Sequence, residues 1–290
     1  MIAQQLINGI SLGGSYALVA VGFSLMFNVM DLVNFAYGGM IMVGTYATFY
    51  AMSLMHLSPG VAIIPALVAA AVMSILSERA ILLPMRRRGA PPIYFFIASF
   101  ILFDLMESLA SVLTGAQVTA YPQPVSAAIF HVFGAIVIGQ EAWIVVTAVA
   151  CLAGMWALLR FTRIGLAIKM ATQDPIAAGL MGVNLERIIS FAFGIAGILA
   201  GLAGYFIGGT TGVYPQVGEI VYQAFIACLI GGLDSLTGAV LGAFLLGILQ
   251  TLITTYLSSD LSTILTFLFL IGVLLVRPQG LLGISREEKV

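Results

Sequence analysis

Two carboxylates in an apolar stretch are the residues of this chain best placed to do chemistry. Asp104 and Glu107 stand three residues apart in FILFDLMESLASVL, a spacing that puts both side chains on one side of a helix. A charge at the centre of a bilayer costs at least about 2.5–3.5 kcal/mol. If this stretch crosses a membrane, we expect the pair to face a protein interior, another subunit or a polar path. There it could bind a solute or carry a proton.

Neutral polar residues could add hydrogen bonds to such a path, and the candidates are Asn8, Ser11, Asn34 and Tyr37. Other chemistry finds little support. The chain contains no G-x-S-x-G or H-E-x-x-H sequence, which argues against an intramembrane hydrolase. Cys151 and Cys228 show no metal-ligand spacing. We therefore expect no metal or cofactor bound by this chain and interpret both cysteines as packing residues.

ATP hydrolysis by this chain is also not expected. A phosphate-binding loop follows G-x-x-x-x-G-K-[ST], in which backbone amides and the lysine hold the phosphates. Of the two lysines in the sequence, Lys169 lies between Ile168 and Met170, and Lys289 is followed by Val290. Neither fits the pattern. The chain is therefore predicted not to be an enzyme, and an ATP-driven role would require another subunit.

The elements that position these residues are predicted to be membrane helices. Charged residues make up 8% of the 290 and hydrophobic residues 61%, whereas a soluble domain carries roughly 25% charged residues. Apolar runs of about 20 residues can cross a bilayer as helices. They occur near 6–28, 38–56, 61–83, 93–114, 141–160, 188–208 and 262–276, and 219–257 is long enough for two passes broken at GGLDSLTG (231–238). We predict a single all-α, polytopic permease domain, residues 1–290, with about 8–9 transmembrane helices, some of them broken or re-entrant.

Glycines indicate how the helices pack. Gly197, Gly201 and Gly204 form a ridge of small residues of the kind that lets membrane helices approach closely. Glycines beside polar residues in 8–15 and 231–238 favour interrupted helices. Non-helical backbone survives at membrane depth only inside protein or beside a water-filled cavity.

Positive charge predicts the topology. All 11 Lys and Arg fall into three clusters, within 79–88, 160–187 and 277–289. Even numbers of predicted passes separate the clusters, so all three can face the cytoplasm, where Lys and Arg accumulate. The connection 115–140 contains neither residue and is predicted to be periplasmic. Three passes before the first cluster put Met1 outside as well. The net charge of −1 gives no reason to expect a nucleic-acid partner.

The segment RIGLAIKMATQDPIAAGLMGVNLERI (163–188) is long and polar for a connection between two spans. Asp174 is suited to cap a helix that Pro175 begins, and Gly182 and Asn184 are suited to end it. A helix of about two turns is marginal alone in water. It therefore needs a surface to lean on.

One face of this short helix would be apolar, because Ile176 and Leu180 are four residues apart. That face could enter a groove on another protein. It could equally lie at the lipid interface or against the chain itself, and local physics leaves these alternatives open.

Five stretches of the sequence carry a family resemblance in addition. They are NGISLGGSYALVAVGFSLMFNVMDLVNFAYGGMIMVGTY (8–46), SERAILLPMRRRG (77–89), TRIGLAIKMATQDPIAAGLMGVNLERI (162–188), IGGLDSLTGAVLGAFLLG (230–247) and VRPQGLLG (276–283). Together they resemble the permeases of branched-chain amino acid ABC importers of the LivH type. The resemblance implies a multi-pass protein of the bacterial inner membrane that works by alternating access. Its implied partners are a second, homologous permease, two cytoplasmic ATPases that carry ATP and Mg, and a periplasmic substrate-binding protein.

The resemblance also implies that residues 161–187 form a cytoplasmic coupling segment that docks on an ATPase. The residues implied in this coupling are Arg163, Gly165, Lys169, Asp174, Pro175, Ile176, Gly179, Leu180, Gly182 and Arg187. Branched-chain amino acids are the leading implied substrate, while relatives import urea, short amides or small carboxylates. Members of the family more often have amides near the positions of Asp104 and Glu107, so the transported solute stays open.

Two other classes of protein remain. A proton-coupled secondary transporter would use Asp104 and Glu107 and need no coupling helix. A purely structural membrane subunit would need no polar path.

The clustering of basic residues predicts which positions can be labelled from each side of the membrane. Arg87→Cys, Lys169→Cys and Arg286→Cys should react only with a thiol reagent admitted to the cytoplasm, and Gln123→Cys should react from outside. The measurement is labelling of intact cells with a membrane-impermeant maleimide. Labelling of Lys169→Cys from the periplasm would overturn the arrangement.

Overall fold

Helices dominate the computed structural model, which describes residues 2–125, 128–132, 135–173, 175–182 and 184–283. The α-helices of these residues are α1 (Ile2–Met30), α2 (Ala36–Ser53), α3 (Pro59–Ser77), α4 (Leu83–Arg87), α5 (Pro92–Thr114), α6 (Gly139–Phe161), α7 (Arg163–Gln173), α8 (Pro175–Leu180), α9 (Leu185–Thr211), α10 (Ile220–Gly231), α11 (Leu236–Tyr256) and α12 (Ser259–Val276). A π-helical turn (Glu78–Leu82) joins α3 to α4, and a short 3-10 helix (Pro215–Glu219) precedes α10. Strands β1 (Ile129–Val132) and β2 (Ala135–Ile138) form a small antiparallel hairpin in the 115–140 connection, where the sequence predicted no element.

Several of these helices match the length of a bilayer. In the described part of the chain, six are long and apolar enough to cross a membrane: Ala3–Met30, Pro59–Arg87, Pro92–Thr114, Gly139–Phe161, Leu185–Thr211 and Leu236–Tyr256. Two shorter apolar segments, Pro215–Gly231 and Leu261–Val276, accompany them. The prediction of an all-α, polytopic membrane protein is confirmed.

The chain divides into two compact units. The first comprises Met1–Ser24, Ser126–Leu152 and Tyr222–Val290, and the second comprises Leu25–Val125 and Ala153–Val221. The second unit contains α2, α3, α5, α7, α8 and α9, and therefore both the predicted coupling segment and the two carboxylates.

In the second unit, α9 packs directly on the backbones of its neighbours through the predicted glycine ridge. A Cβ atom on Gly197 would lie 2.6 Å from the Cα of Ala71, and one on Gly201 would lie 2.5 Å from the carbonyl oxygen of Ala66. Gly204 makes the same kind of approach to the backbone nitrogen of Thr45, at 2.8 Å. These spacings leave no room for a side chain. The ridge is confirmed as the contact surface of α9 with α3 and α2.

In the first unit, glycines of α1 pack against α11. Cβ atoms on Gly9 and Gly13 would lie 2.8 Å and 2.7 Å from the Cα atoms of Ile248 and Phe244. Helix α1 is continuous through these positions. The expectation of an interrupted helix at 8–15 is therefore wrong, because the glycines there serve close packing and not a break.

The break predicted at 231–238 is confirmed. Helix α10 ends at Gly231, Gly232 has a φ of 109°, and α11 begins at Leu236. The N–H groups of Leu281 and Leu282 donate to the carbonyl oxygens of Ile230 and Gly231, at 2.8 and 2.9 Å. The segment after α12 thus satisfies the carbonyl groups that the end of α10 leaves free.

The glycine ridge predicts a sharp difference between two positions on α9. Gly201→Val should destabilise the protein by about 1–3 kcal/mol, because α3 and α9 must separate to admit the side chain. Gly194→Ala is the matched control, since its Cβ would meet Ile75 Cδ1 at an ordinary 3.4 Å. Thermal unfolding of both variants in detergent provides the measurement. A Gly201→Val protein as stable as the control would contradict the packing described here.

Candidate functional site

The candidate coupling segment begins with a tight corner between α6 and α7. The hydroxyl of Thr162 donates to the carbonyl oxygen of Leu158 at 2.6 Å and accepts the N–H of Gly165 at 3.0 Å. A Cβ atom on Gly165 would lie 2.5 Å from the Cα of Leu159. Glycine is therefore required here by the close approach of the two helices. This gives one of the predicted coupling residues a geometric role.

Helix α7 has one buried face and one exposed face. Gly165 and Ile168 are buried, while Arg163, Leu166 and Lys169 are exposed. The charged residues named from the sequence thus lie on the outer face. They are available to a partner and contribute nothing to the core.

Helix α8 packs against the rest of the second unit through a small residue, and large residues at its end and just after it are exposed. Ala178 is 1% exposed, whereas Leu180 is 86% and Met181 75% exposed. A Cβ atom on Gly179 would project into open space, so a partner can approach this glycine closely. Asp174 lies outside the described residues, as do the side chains of Pro175 and Ile176.

The chain leaves α8 through a glycine turn, as the sequence predicted. Gly182 has a φ of 82° and its N–H donates to the carbonyl oxygen of Gly179 at 3.0 Å. Asn184 does not end α8, however. Its Oδ1 accepts the N–H of Arg187 at 3.1 Å and caps the start of α9. The expectation for Asn184 is therefore corrected, because the next helix begins so soon after the turn that this side chain serves its start.

An ion pair joins the first two basic clusters. Arg87 donates two hydrogen bonds to the carboxylate of Glu186, at 2.8 and 2.9 Å. Arg187, next along α9, is exposed. The two clusters therefore lie at the same end of the second unit, where α4 ends and α9 begins. That this end faces the cytoplasm stays a prediction.

The two carboxylates of α5 lie away from its packed face. The buried residues of this helix are Phe95, Ser99, Leu102, Phe103 and Met106. Asp104 is exposed, and Ser108 and Ser111 continue a polar stripe beyond it at intervals of four and three residues. Glu107 is half-buried. Such a stripe is expected to face a protein or water and not lipid.

The neutral path candidates are dispersed. In the first unit, Asn8 accepts a hydrogen bond from Gln4 at 2.9 Å, and Ser11 is buried. In the second, Asn34 accepts the N–H of Ala36 at 3.1 Å, and Tyr37 is 0% exposed. Asp104 and Glu107 lie one turn apart on α5, whereas Asn34 makes a local hydrogen bond at the start of α2.

Sequence reasoning missed a chain of hydrogen bonds in the first unit that joins two buried polar side chains, Tyr16 and Gln250, to the half-buried Gln223. The Tyr16 hydroxyl donates to Gln250 Oε1 at 2.6 Å, and Gln250 Nε2 donates to Gln223 Oε1 at 3.1 Å. Gln223 and Gln250 are the amide residues of their apolar runs. Amides inside apolar spans could have indicated this chain of hydrogen bonds, because such residues bond to each other between membrane helices.

The first residues of the 115–140 connection, which belong to the second unit, are held there at Thr119 and Tyr121. Thr119 and Val213 exchange backbone hydrogen bonds at 3.0 and 2.7 Å. The Tyr121 hydroxyl reaches the carbonyl oxygens of Gly204 and Thr45, at 3.3 and 3.4 Å. Burial raises the pKa of this phenol, so it stays a hydrogen-bond donor. Residues 122–124 are left exposed.

The apolar spans define a multi-pass membrane protein, and the polar stripe on α5 is a part of its surface that is unfavourable in contact with lipid. Comparison with known proteins gives the family. The chain belongs to the family described as "Branched-chain amino acid transport system / permease component", whose model matches residues 5–275. The resemblance found in the sequence motifs is confirmed.

The sequence similarity to individual relatives extends over almost the full length of the chain. The chain is 30% identical to the high-affinity branched-chain amino acid transport system permease protein LivH of Escherichia coli strain K12, covering 99% of this chain and 97% of the relative. It is 28% identical to the corresponding permease protein BraD of Pseudomonas aeruginosa, with the same coverage. The fold is similar to PsaBC from Streptococcus pneumoniae, solved in complex with Fab, with a TM-score of 0.51, 15% identity, and coverage of 96% of this chain and 92% of that one.

The exposed position of Asp104 yields a prediction for transport. Asp104→Leu should lower solute uptake by about tenfold or more, because it removes a hydrogen-bonding group from the stripe. Asp104→Asn should retain part of the uptake, since the amide keeps polar capacity without charge. Leu105→Ala, next to it and also exposed, is the control and should transport normally. Full uptake by Asp104→Leu at equal membrane abundance would show that the stripe is incidental.

Proposed function

We propose that this chain is a permease subunit of an ATP-driven importer for branched-chain amino acids or a related small polar or amphiphilic solute. Family membership over residues 5–275 supports the permease role. The names of LivH and BraD support the solute class. The chain would work in the bacterial inner membrane by alternating access.

The proposed partners supply what this sequence lacks. Two cytoplasmic ATPases would bind ATP and Mg²⁺, since the chain has no phosphate-binding loop. A second, homologous permease would cover the polar stripe that begins at Asp104. A periplasmic binding protein would deliver the solute to the outer surface near residues 122–124.

The protrusion of Leu180 and Met181 is the observation that carries the coupling role. Large apolar side chains this exposed, at the tip of a helix held by Ala178, favour insertion into a groove on a partner. The groove would lie on an ATPase. A rigid helix seated in a groove transmits displacement, whereas a flexible loop would dissipate it.

The proposal is tested on the assembled complex. The permease is purified with its partners in nanodiscs, and ATP hydrolysis is measured with the binding protein and leucine, isoleucine, valine, urea or acetamide. We expect hydrolysis to be stimulated by the aliphatic amino acids. Stimulation by urea or acetamide alone would keep the importer role but change the solute. Solute uptake that is independent of ATP and varies with external pH would favour the proton-coupled alternative.

The coupling contact predicts the effect of a charge at the tip of α8. Leu180→Glu should abolish retention of the ATPases, because an unpaired carboxylate in a dry groove costs several kcal/mol. Lys169→Ala should do less, since an exposed charge contact contributes about 0–1 kcal/mol. The measurement is pull-down of the ATPases by each tagged permease. If Leu180→Glu retains the ATPases and transports normally, α8 is not the coupling helix.

A further inference from the structure

The π-helical turn between α3 and α4 carries a buried carboxylate. Glu78 is 0% exposed, although it belongs to the charged motif SERAILLPMRRRG. A π turn inserts an extra residue into a helix and is often found at functional sites. A buried charge needs partners that are close and well oriented. The partners of Glu78 come from two different elements.

One carboxylate oxygen of Glu78 bonds to α4 and the other to α9. Oε1 accepts from Arg86 Nη2 at 2.8 Å, and Oε2 accepts from the Ser190 hydroxyl at 2.8 Å. Arg79 Nε donates to the same hydroxyl at 3.2 Å and lies 3.7 Å from Glu78 Oε2. Glu78 therefore bridges α4 to the second turn of α9.

Helix α4 continues α3 through the π turn, and polar contacts attach it to α9. None of its residues is buried, and a cavity of 360 Å³ lies beside Arg86 and Ala90. Leu83 and Met85 are half-buried, so no apolar side chain of α4 is fully enclosed. The Glu78–Arg86 bond and the exposed Arg87–Glu186 pair attach it to the rest of the unit.

Helix α3, the π turn and α4 together form what we call the α3–α4 arm. The contacts of α9 with this arm follow one face of α9. Glu186 pairs with Arg87, Ser190 with Glu78, and the carbonyl oxygen of Phe193 accepts the Ser74 hydroxyl at 2.6 Å. The spacing of four and then three residues is that of a single helical face. The first turn of α9 belongs to the candidate coupling segment, and Glu186 and Ser190 of its first two turns contact α4 and the π turn.

We infer that Glu78 is a positioning residue of the transport cycle. Acting through Arg86 and Ser190, it locks the start of α9 to the α3–α4 arm, so that displacement of α7 and α8 moves both together. The inference rests on the proposed function, because it supposes that a partner ATPase moves the coupling segment. Without the lock, the first two turns of α9, which precede the glycine ridge, would shift independently of α4, and ATP would be hydrolysed without import.

The test is the ratio of solute imported to ATP hydrolysed in proteoliposomes containing the full complex. Glu78→Gln keeps the size of the side chain and removes the charge. We expect the complex to retain its ATPases and stimulated hydrolysis while the ratio falls about tenfold. Ser77→Ala is the matched control and should keep the wild-type ratio, because the Ser77 hydroxyl donates only to Ser74 within its own helix. A Glu78→Gln complex with the wild-type ratio would overturn the inference.

A cross-link separates a mechanical role from general destabilisation. In a background with Cys151→Ala and Cys228→Ala, the changes Arg87→Cys and Glu186→Cys allow a short bifunctional thiol reagent to rejoin α4 and α9. Cross-linking should restore the ratio in Glu78→Gln. A ratio that stays low after complete cross-linking would contradict the positioning role.

A second variant covers the case in which Glu78→Gln does not reach the membrane. Ser190→Ala removes the contact with α9 and leaves the Glu78–Arg86 pair in place, and it should lower the same ratio. An unchanged ratio in Ser190→Ala would then contradict the inference. Failure of the wild-type complex to couple hydrolysis to import would instead reject the proposed function, so the two failures are distinguishable.

Discussion

The backbone-to-backbone approach of α9 to α3 and α2 is the contact on which the second unit depends. In lipid, apolar side chains gain little by meeting each other, so membrane helices associate through close packing and hydrogen bonds. Gly197, Gly201 and Gly204 allow that packing, and any side chain there would collide with backbone atoms. The hydroxyl of Thr45 adds a hydrogen bond to the carbonyl oxygen of Gly204 at 3.0 Å. The ridge and this bond hold α9 along its middle.

Both ends of α9 are held by polar contacts. At one end Ser190 accepts from Arg79 and donates to Glu78, and towards the other Tyr121 contacts Gly204 and Thr119 pairs with Val213. The helix has 27 residues, about 40 Å at 1.5 Å per residue, which is enough to cross a bilayer. A rod held at both ends and in the middle moves as one body. A displacement at the candidate coupling segment would therefore reach the opposite end of the helix through continuous helical structure.

Much of this fold could be predicted from the sequence because bilayer thickness constrains the length of apolar runs. The break near Gly232 and the turn at Gly182 were predicted correctly from glycine beside polar residues, a pattern that often marks a change of direction. Glycines alone could not say whether a helix breaks or packs closely. Gly9 and Gly13 pack, and nothing local distinguishes them from Gly232.

The candidate site was less predictable because its geometry depends on partners distant in sequence. The burial of Glu78 requires a π turn and a hydroxyl 112 residues away. The chain of Tyr16, Gln250 and Gln223 likewise joins three segments that the sequence shows only as separate polar residues. Side-chain type indicated that the carboxylates of α5 avoid lipid, but only the structure shows which side of that helix is packed.

The outward-facing stripe on α5 constrains what the chain can be by itself. Asp104 is exposed on a helix whose opposite face is packed, and an ionised group there meets lipid only at considerable cost. The α5 helix cannot rotate the stripe inward without removing Phe103 and Met106 from the core. Since packing fixes the orientation of the helix and the membrane disfavours its polar face, cover must come from outside this unit. The packing of α5 on α2 and on the 3-10 helix therefore holds the stripe in place on the surface of this unit.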